Sequence, residues 1–245
     1  MPTGTLALLA AGILIIAFLY SSVGHAGASG YIAVMTLFGL APAQIKPTAL
    51  ALNLLVACLG SWQFWRAGHF SWRLFYRFAI LSIPFAFLGG YLSLPVRAFR
   101  MLVGLVLLFS AARFLVRPAE TSDPHEPALP TSLGTGAGLG LLAGLTGTGG
   151  GIFLTPLMIL MGWARTKTAS AVSALFILVN SAAGLAGDWG ATKGIPSFAG
   201  VLAAAAVAGG AAGSYLGSRR FAPETIKRLL AAVLIIAGFK LLLTR

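Results

Sequence analysis

The chain has 245 residues, 58% of them hydrophobic and only 9% charged, and its 17 Lys and Arg stand against five acids for a net charge of +12. An average soluble domain carries roughly 25% charged residues, so a soluble fold is excluded, and no basic domain exists through which the positive charge would engage nucleic acid. The apolar runs are continuous instead of alternating as in a membrane β-barrel, which predicts helices, each spanning with roughly 20 residues.

The first expected segment is 5–21, whose apolar run at 6–19 has no Lys or Arg before it. A secretory signal usually has that charge, so the run is read as the first helix of the mature protein. Segments follow at 27–40, 47–65, 72–92 and 97–116. Between the third and fourth, Trp62, Trp65, Phe70, Trp72 and Tyr76 crowd around Arg66 and Arg73; such rings prefer the headgroup layer and read as an interfacial anchor. The polar stretch 117–130, with Glu120, Asp123 and Glu126, is the linker. The last five segments are 132–146, 150–162, 168–188, 195–217 and 223–243. Cys58 is the only cysteine, which rules out an intrachain disulfide and a cysteine metal cluster.

The two sides of the linker look alike. Gly24-His25-Ala26-Gly27 matches Gly147-Thr148-Gly149-Gly150. Lys46 with Ala49 and Ala51 matches Lys167 with Ala169 and Ala171. Tyr91-Leu92 matches Tyr215-Leu216, and Pro95 to Arg100 resembles Pro223 to Arg228. The offset stays between about 121 and 128, which points to an internal duplication. The predicted fold is an all-α membrane protein of about eight to ten helical segments in two five-segment repeats, 1–116 and 132–245, joined by a cytoplasmic linker at 117–131. An odd number of segments per repeat inverts one against the other. The second and seventh segments either span or re-enter. With both termini outside, eleven of the 17 basic residues fall in cytoplasmic joints, among them Arg66, Arg73, Arg77, Arg165, Arg219 and Arg220; the positive-inside rule favours that orientation.

Inverted halves point to alternating access with a substrate site at short or glycine-interrupted segments near the midplane. The second and seventh segments fit, each only about 13 residues after a glycine cluster. Glycine permits backbone turns closed to other residues and close approach of a ligand. The unpaired amides that open the following helix carry partial positive charge, so two such ends would hold an anion without a buried cation. The expected site comprises Gly24, His25, Gly27, Ser29, Thr146, Gly147, Thr148, Gly149, Gly150, Gly151 and Asn180. His25 and Asp188 are the residues expected to carry a proton, and Lys46 and Lys167 to attract the anion at the two mouths. Asn53 is a further polar residue within an apolar run. Gly27-Ala28-Ser29-Gly30 resembles the nucleophile element of rhomboid proteases, but no later span contains the histidine base that such a serine needs. No enzyme, metal or cofactor is therefore expected.

Gly147-Thr148-Gly149-Gly150-Gly151 followed by Pro156, the run Lys167-Thr168-Ala169-Ser170-Ala171, and the weaker copy at 24–30 resemble the sulfite exporter TauE/SafE family of bacterial permeases over nearly the whole chain. The resemblance implies a transporter of sulfur-containing anions such as sulfite, sulfonates or sulfoacetate in the cell (inner) membrane. Its partners would be the lipid bilayer, a small anion with protons as candidate co-substrate, and in a dimeric form a second copy. An anion channel, or a permease for another solute, is the alternative reading. His25 and Ser29 stand where many relatives have more glycine.

Overall fold

The computed structural model describes residues 2–92, 108, 111–112, 123–187 and 195–243. The expected segment at 97–116 falls almost wholly outside the described residues, as do Asp188 and the side chain of Lys46. The regular elements among the described residues are all helices: α1 (Thr3–Ser22), α2 (Ala28–Leu37), α3 (Pro42–Arg66), α4 (Trp72–Tyr91), α5 (Leu129–Thr146), α6 (Gly151–Leu160), α7 (Thr166–Gly187), α8 (Ala199–Arg219) and α9 (Pro223–Leu243). Five of them, α1, α3, α4, α7 and α8, are long and apolar enough to cross a membrane. Helix α3 begins five residues before the expected 47, because a proline in its first turn starts a helix as readily as it breaks one. Lys46 thus lies inside α3.

The two short helices are shorter than expected. Each has ten residues, about 15 Å, or half of a ~30 Å hydrocarbon core. Both start from a glycine in the left-handed region, Gly27 (φ 100°) and Gly150 (φ 76°).

Close approach of small residues builds the frame. In α5, Gly136, Gly140 and Gly144 press on the carbonyls of Phe78, Ser82 and Ala86 in α4. In α8, Gly209, Gly213 and Gly217 press on those of Leu14, Phe18 and Ser22 in α1. A step of four keeps each stripe on one helix face, and contacts of this kind hold helices together where lipid supplies no hydrophobic drive. Both numbers rise together, so each pair runs parallel. Helices α3 and α7 run antiparallel: Asn53 meets Ser181, and Gly60 faces Ala174.

One end of the bundle gathers four joints. The α3–α4 turn and Lys167 at the start of α7 both reach the α8–α9 turn, His69 Nε2 lying 3.0 Å and Lys167 Nζ 3.4 Å from the Ser218 carbonyl. His125 N–H donates to the Gly162 carbonyl. Arg77 donates to the Pro127 carbonyl, and both Arg73 and Arg77 pair with Glu126. These are four joints that the charge pattern assigns to one side. With this end fixed, each of α1 to α4 runs opposite to its counterpart among α5 to α8.

Candidate substrate-binding site

The two half-helices start near one another in the middle of the bundle. Asn53, in the middle of α3 and fully buried, joins them. Its Oδ1 accepts the Ala28 amide that opens α2 at 3.1 Å, and its Nδ2 donates to Ser181 Oγ of α7 at 2.8 Å. The second break passes directly against this pair. A methyl group at Gly149 (φ 75°) would lie 2.7 Å from both Ser181 Oγ and Ile177 and 3.0 Å from Asn53 Nδ2. Only glycine gives that turn and that clearance together.

His25 makes a second link between the halves, with Nε2 2.9 Å from Thr155 Oγ1 in the middle of α6. His25 is 4% exposed and Thr155 is fully buried. The ring lies beside the Gly151 backbone, but Nδ1 makes no well-formed hydrogen bond, and neither do the buried hydroxyls of Tyr31, Ser170 and Ser173. Gly24 packs on the Ser170 backbone and Gly151 beside the Ser173 carbonyl, so these polar atoms flank the two breaks. A polar atom buried without a partner costs free energy, and in a bilayer it tends to serve function.

The expected site residues separate into groups. Gly24, His25, Gly27, Gly149, Gly150 and Gly151 lie at the converging breaks. Gly147 closes α5 in the left-handed region. Thr146 and Thr148 are half-buried beside it, their hydroxyls 2.8 Å apart, and Thr146 also donates to the Leu142 carbonyl. Ser29 lies 3.0 Å from the Tyr20 hydroxyl. Asn180 is turned toward α4, accepting from Ser82 Oγ and donating to its own Phe176 carbonyl. Lys167 sits at the basic end, far along α7 from Ser181. Thr155 and Ser181 complete the polar set. Nothing in the sequence set them apart from other small hydroxyls in apolar runs; Asn53 carried a signal, as an amide in an apolar run.

Both breaks share one backbone plan. Offsets of 123 relate Gly24 to Gly147, Gly27 to Gly150 and Gly39 to Gly162, all with positive φ. The bonds that close the half-helices repeat as well: Gly39 to Thr36 and Leu40 to Met35 in α2, Gly162 to Ile159 and Trp163 to Met158 in α6. Such an arrangement can present two opposed helix starts to one small anion between them.

A family model described as sulfite exporter TauE/SafE matches residues 8–241. The chain belongs to the TauE/SafE family. It is 41% identical over 239 residues to the probable membrane transporter protein y4hK of Sinorhizobium fredii, an alignment covering 96% of this chain and 97% of that one. No solved structure matches it. Membership and the five apolar helices make it a multi-pass membrane transporter. Several of the buried polar side chains, His25, Asn53, Thr155, Ser170, Ser173 and Ser181, lie at or beside the paired breaks.

Proposed function

We propose that the chain is a secondary transporter of small sulfur-containing anions, sulfite or sulfonates in particular, working by alternating access. The observation that carries this reading is the meeting of the α2 and α6 starts at Asn53 and Ser181. The anion lies between the two starts and takes the hydrogen-bonding capacity that Asn53 and His25 now spend on the protein. Glycines at 24, 27, 147 and 149–151 allow the backbone to approach it. Ser29, Thr146 and Thr148 border the site, and Lys46 and Lys167 attract anions at opposite mouths. His25 bonds the anion or passes a proton; Asp188 has the same capacity at the end of α7. Residues 1–116 and 132–245 are the two inverted repeats, and the termini lie outside with 117–131 in the cytoplasm, in the cell (inner) membrane.

The test is counterflow in liposomes carrying the purified chain. Labelled sulfite outside should accumulate transiently against unlabelled sulfite inside, and compete with thiosulfate and sulfonates more than with carboxylates. Uptake without counterflow or saturation would point to a channel, and indifference to every sulfur anion would end the sulfur assignment. A reporter fused within 117–131 that reads as external would reverse the orientation.

A further inference from the structure

A cavity lies away from the breaks. A crevice of about 350 Å³ opens between α3 and α7, lined by Cys58, Trp62, Trp65 and Phe70 on one side and Leu175 and Leu178 on the other. Trp62 and Trp65 are both about half exposed (51%). The crevice runs lengthwise: Trp65 stands in the last turn of α3 at the basic end, and Cys58 is two turns deeper, about 10 Å away. At its mouth the Arg66 guanidinium stands over the Trp62 ring, 5.4 Å from its centroid. Glu126 serves Arg73 and Arg77 at this end, and among the described residues Arg66 has no acidic partner.

Aromatic rings with a cation at the mouth and an aliphatic floor reaching inward follow the profile of a phospholipid, from phosphate to acyl chain. Apart from Ser61 and the Cys58 thiol the lining is apolar, too little to hold a soluble anion, and an uncharged lipid would leave Arg66 unused. We propose that the crevice holds one acyl chain of an anionic glycerophospholipid whose phosphate pairs with Arg66. The lipid then sits between α3 and α7, one helix from each half of the sequence. The site stands apart from the paired breaks and does not depend on which anion is transported.

The test uses the full chain reconstituted in phosphatidylcholine with phosphatidylglycerol, one or the other brominated in its acyl chains, and reads quenching of tryptophan fluorescence. Brominated phosphatidylglycerol should quench at roughly five-fold lower mole fraction than random mixing requires, the effect of one favourable surface cation. Arg66→Gln should abolish that preference and Arg66→Lys retain part of it. Leu175→Phe, which fills the floor, should weaken quenching by either lipid. Equal quenching by both lipids in the unmodified chain, or a preference unchanged in Arg66→Gln, overturns the proposal. Loss of the preference on adding inorganic phosphate overturns the lipid as the occupant, because it assigns the cation to a soluble anion.

Discussion

The breaks at 24–27 and 147–150 share their outer left-handed glycines and differ in chemistry, and Gly149 adds a left-handed turn that Ala26 lacks. Left-handed glycines recur at an offset of 123, and each half-helix has ten residues. The side chains do not recur. By the same offset His25 answers to Thr148 and Thr155 to Ile32; in the long helices, offset by 121 as Lys46 is from Lys167, Asn53 answers to Ala174 and Ser181 to Gly60. Burial differs too. Eight of the ten α6 residues are buried, whereas only Ala28, Gly30, Tyr31 and Met35 are buried in α2, where Leu37 is 84% exposed. Repeated backbone thus supplies two opposed helix starts, and unrepeated side chains set different polar atoms beside each.

Several changes would break or sharpen that contrast. The largest effect is expected at Gly24, where an added methyl both meets the Ser170 backbone and forces an L-residue to φ 80°. Gly24→Ala should lose ~3 kcal/mol or more. Gly39 has φ 73° with nothing within 4 Å, so Gly39→Ala should lose only about 1–2 kcal/mol. Thermal unfolding in detergent compares the two; equal losses would mean that backbone strain alone governs the breaks. Next comes Asn53→Asp, which keeps the shape of the side chain and sets a carboxylate where the anion is proposed to sit. The unfolding temperature should drop, because the buried carboxylate loses the donor to Ser181, and sulfite counterflow per folded molecule should fall about tenfold or more; undiminished flux per folded molecule would separate Asn53 from the substrate.

A smaller effect is expected across the His25–Thr155 link. A cycle of His25→Ala, Thr155→Val and the double variant should give a coupling of about 0.6–1.7 kcal/mol in stability, the range of hydrogen bonds between membrane helices. Zero coupling would leave the two halves joined here by packing alone. The smallest effect concerns His69 at the basic end. Burial pushes its pKa below the ordinary 6.5, the Lys167 charge adds to the effect, and the Ser218 carbonyl opposes it. The fold therefore holds the neutral ring, and the unfolded chain takes up the proton first. Its contribution is present above about pH 6.5 and fades as pH falls through the lower folded value. Unfolding of His69→Gln should lack that pH dependence, and an identical pH profile in both proteins would remove His69 from the joint.

The breaks were legible in the sequence because positive φ at 24, 27, 149 and 150 demands glycine, and glycine clusters are conspicuous in apolar runs. Helix character was legible for the same reason that a membrane imposes it. Partners were harder. The stripes at 136, 140, 144 and at 209, 213, 217 declare a face for close packing, but a glycine gives no sign of which carbonyl it will meet. Asn180 and Ser181 are adjacent, so their side chains point about 100° apart on α7; one goes to α4 and the other to the centre, and the linear sequence does not say which. Thr155 resembled any hydroxyl in an apolar helix until His25 was placed against it.

The glycine stripes also bear on how such a molecule can move. Both seams, α1 with α8 and α4 with α5, take one helix from each half of the sequence. Swinging residues 1–116 against 132–245 as two blocks would have to part both seams together, at the points of tightest backbone contact. The two cross-half pairs are better suited to act as fixed girders. Motion would then fall to what stands between them, α2, α3, α6 and α7, so the mechanical joints of the proposed transporter would cut across its proposed repeats instead of following them.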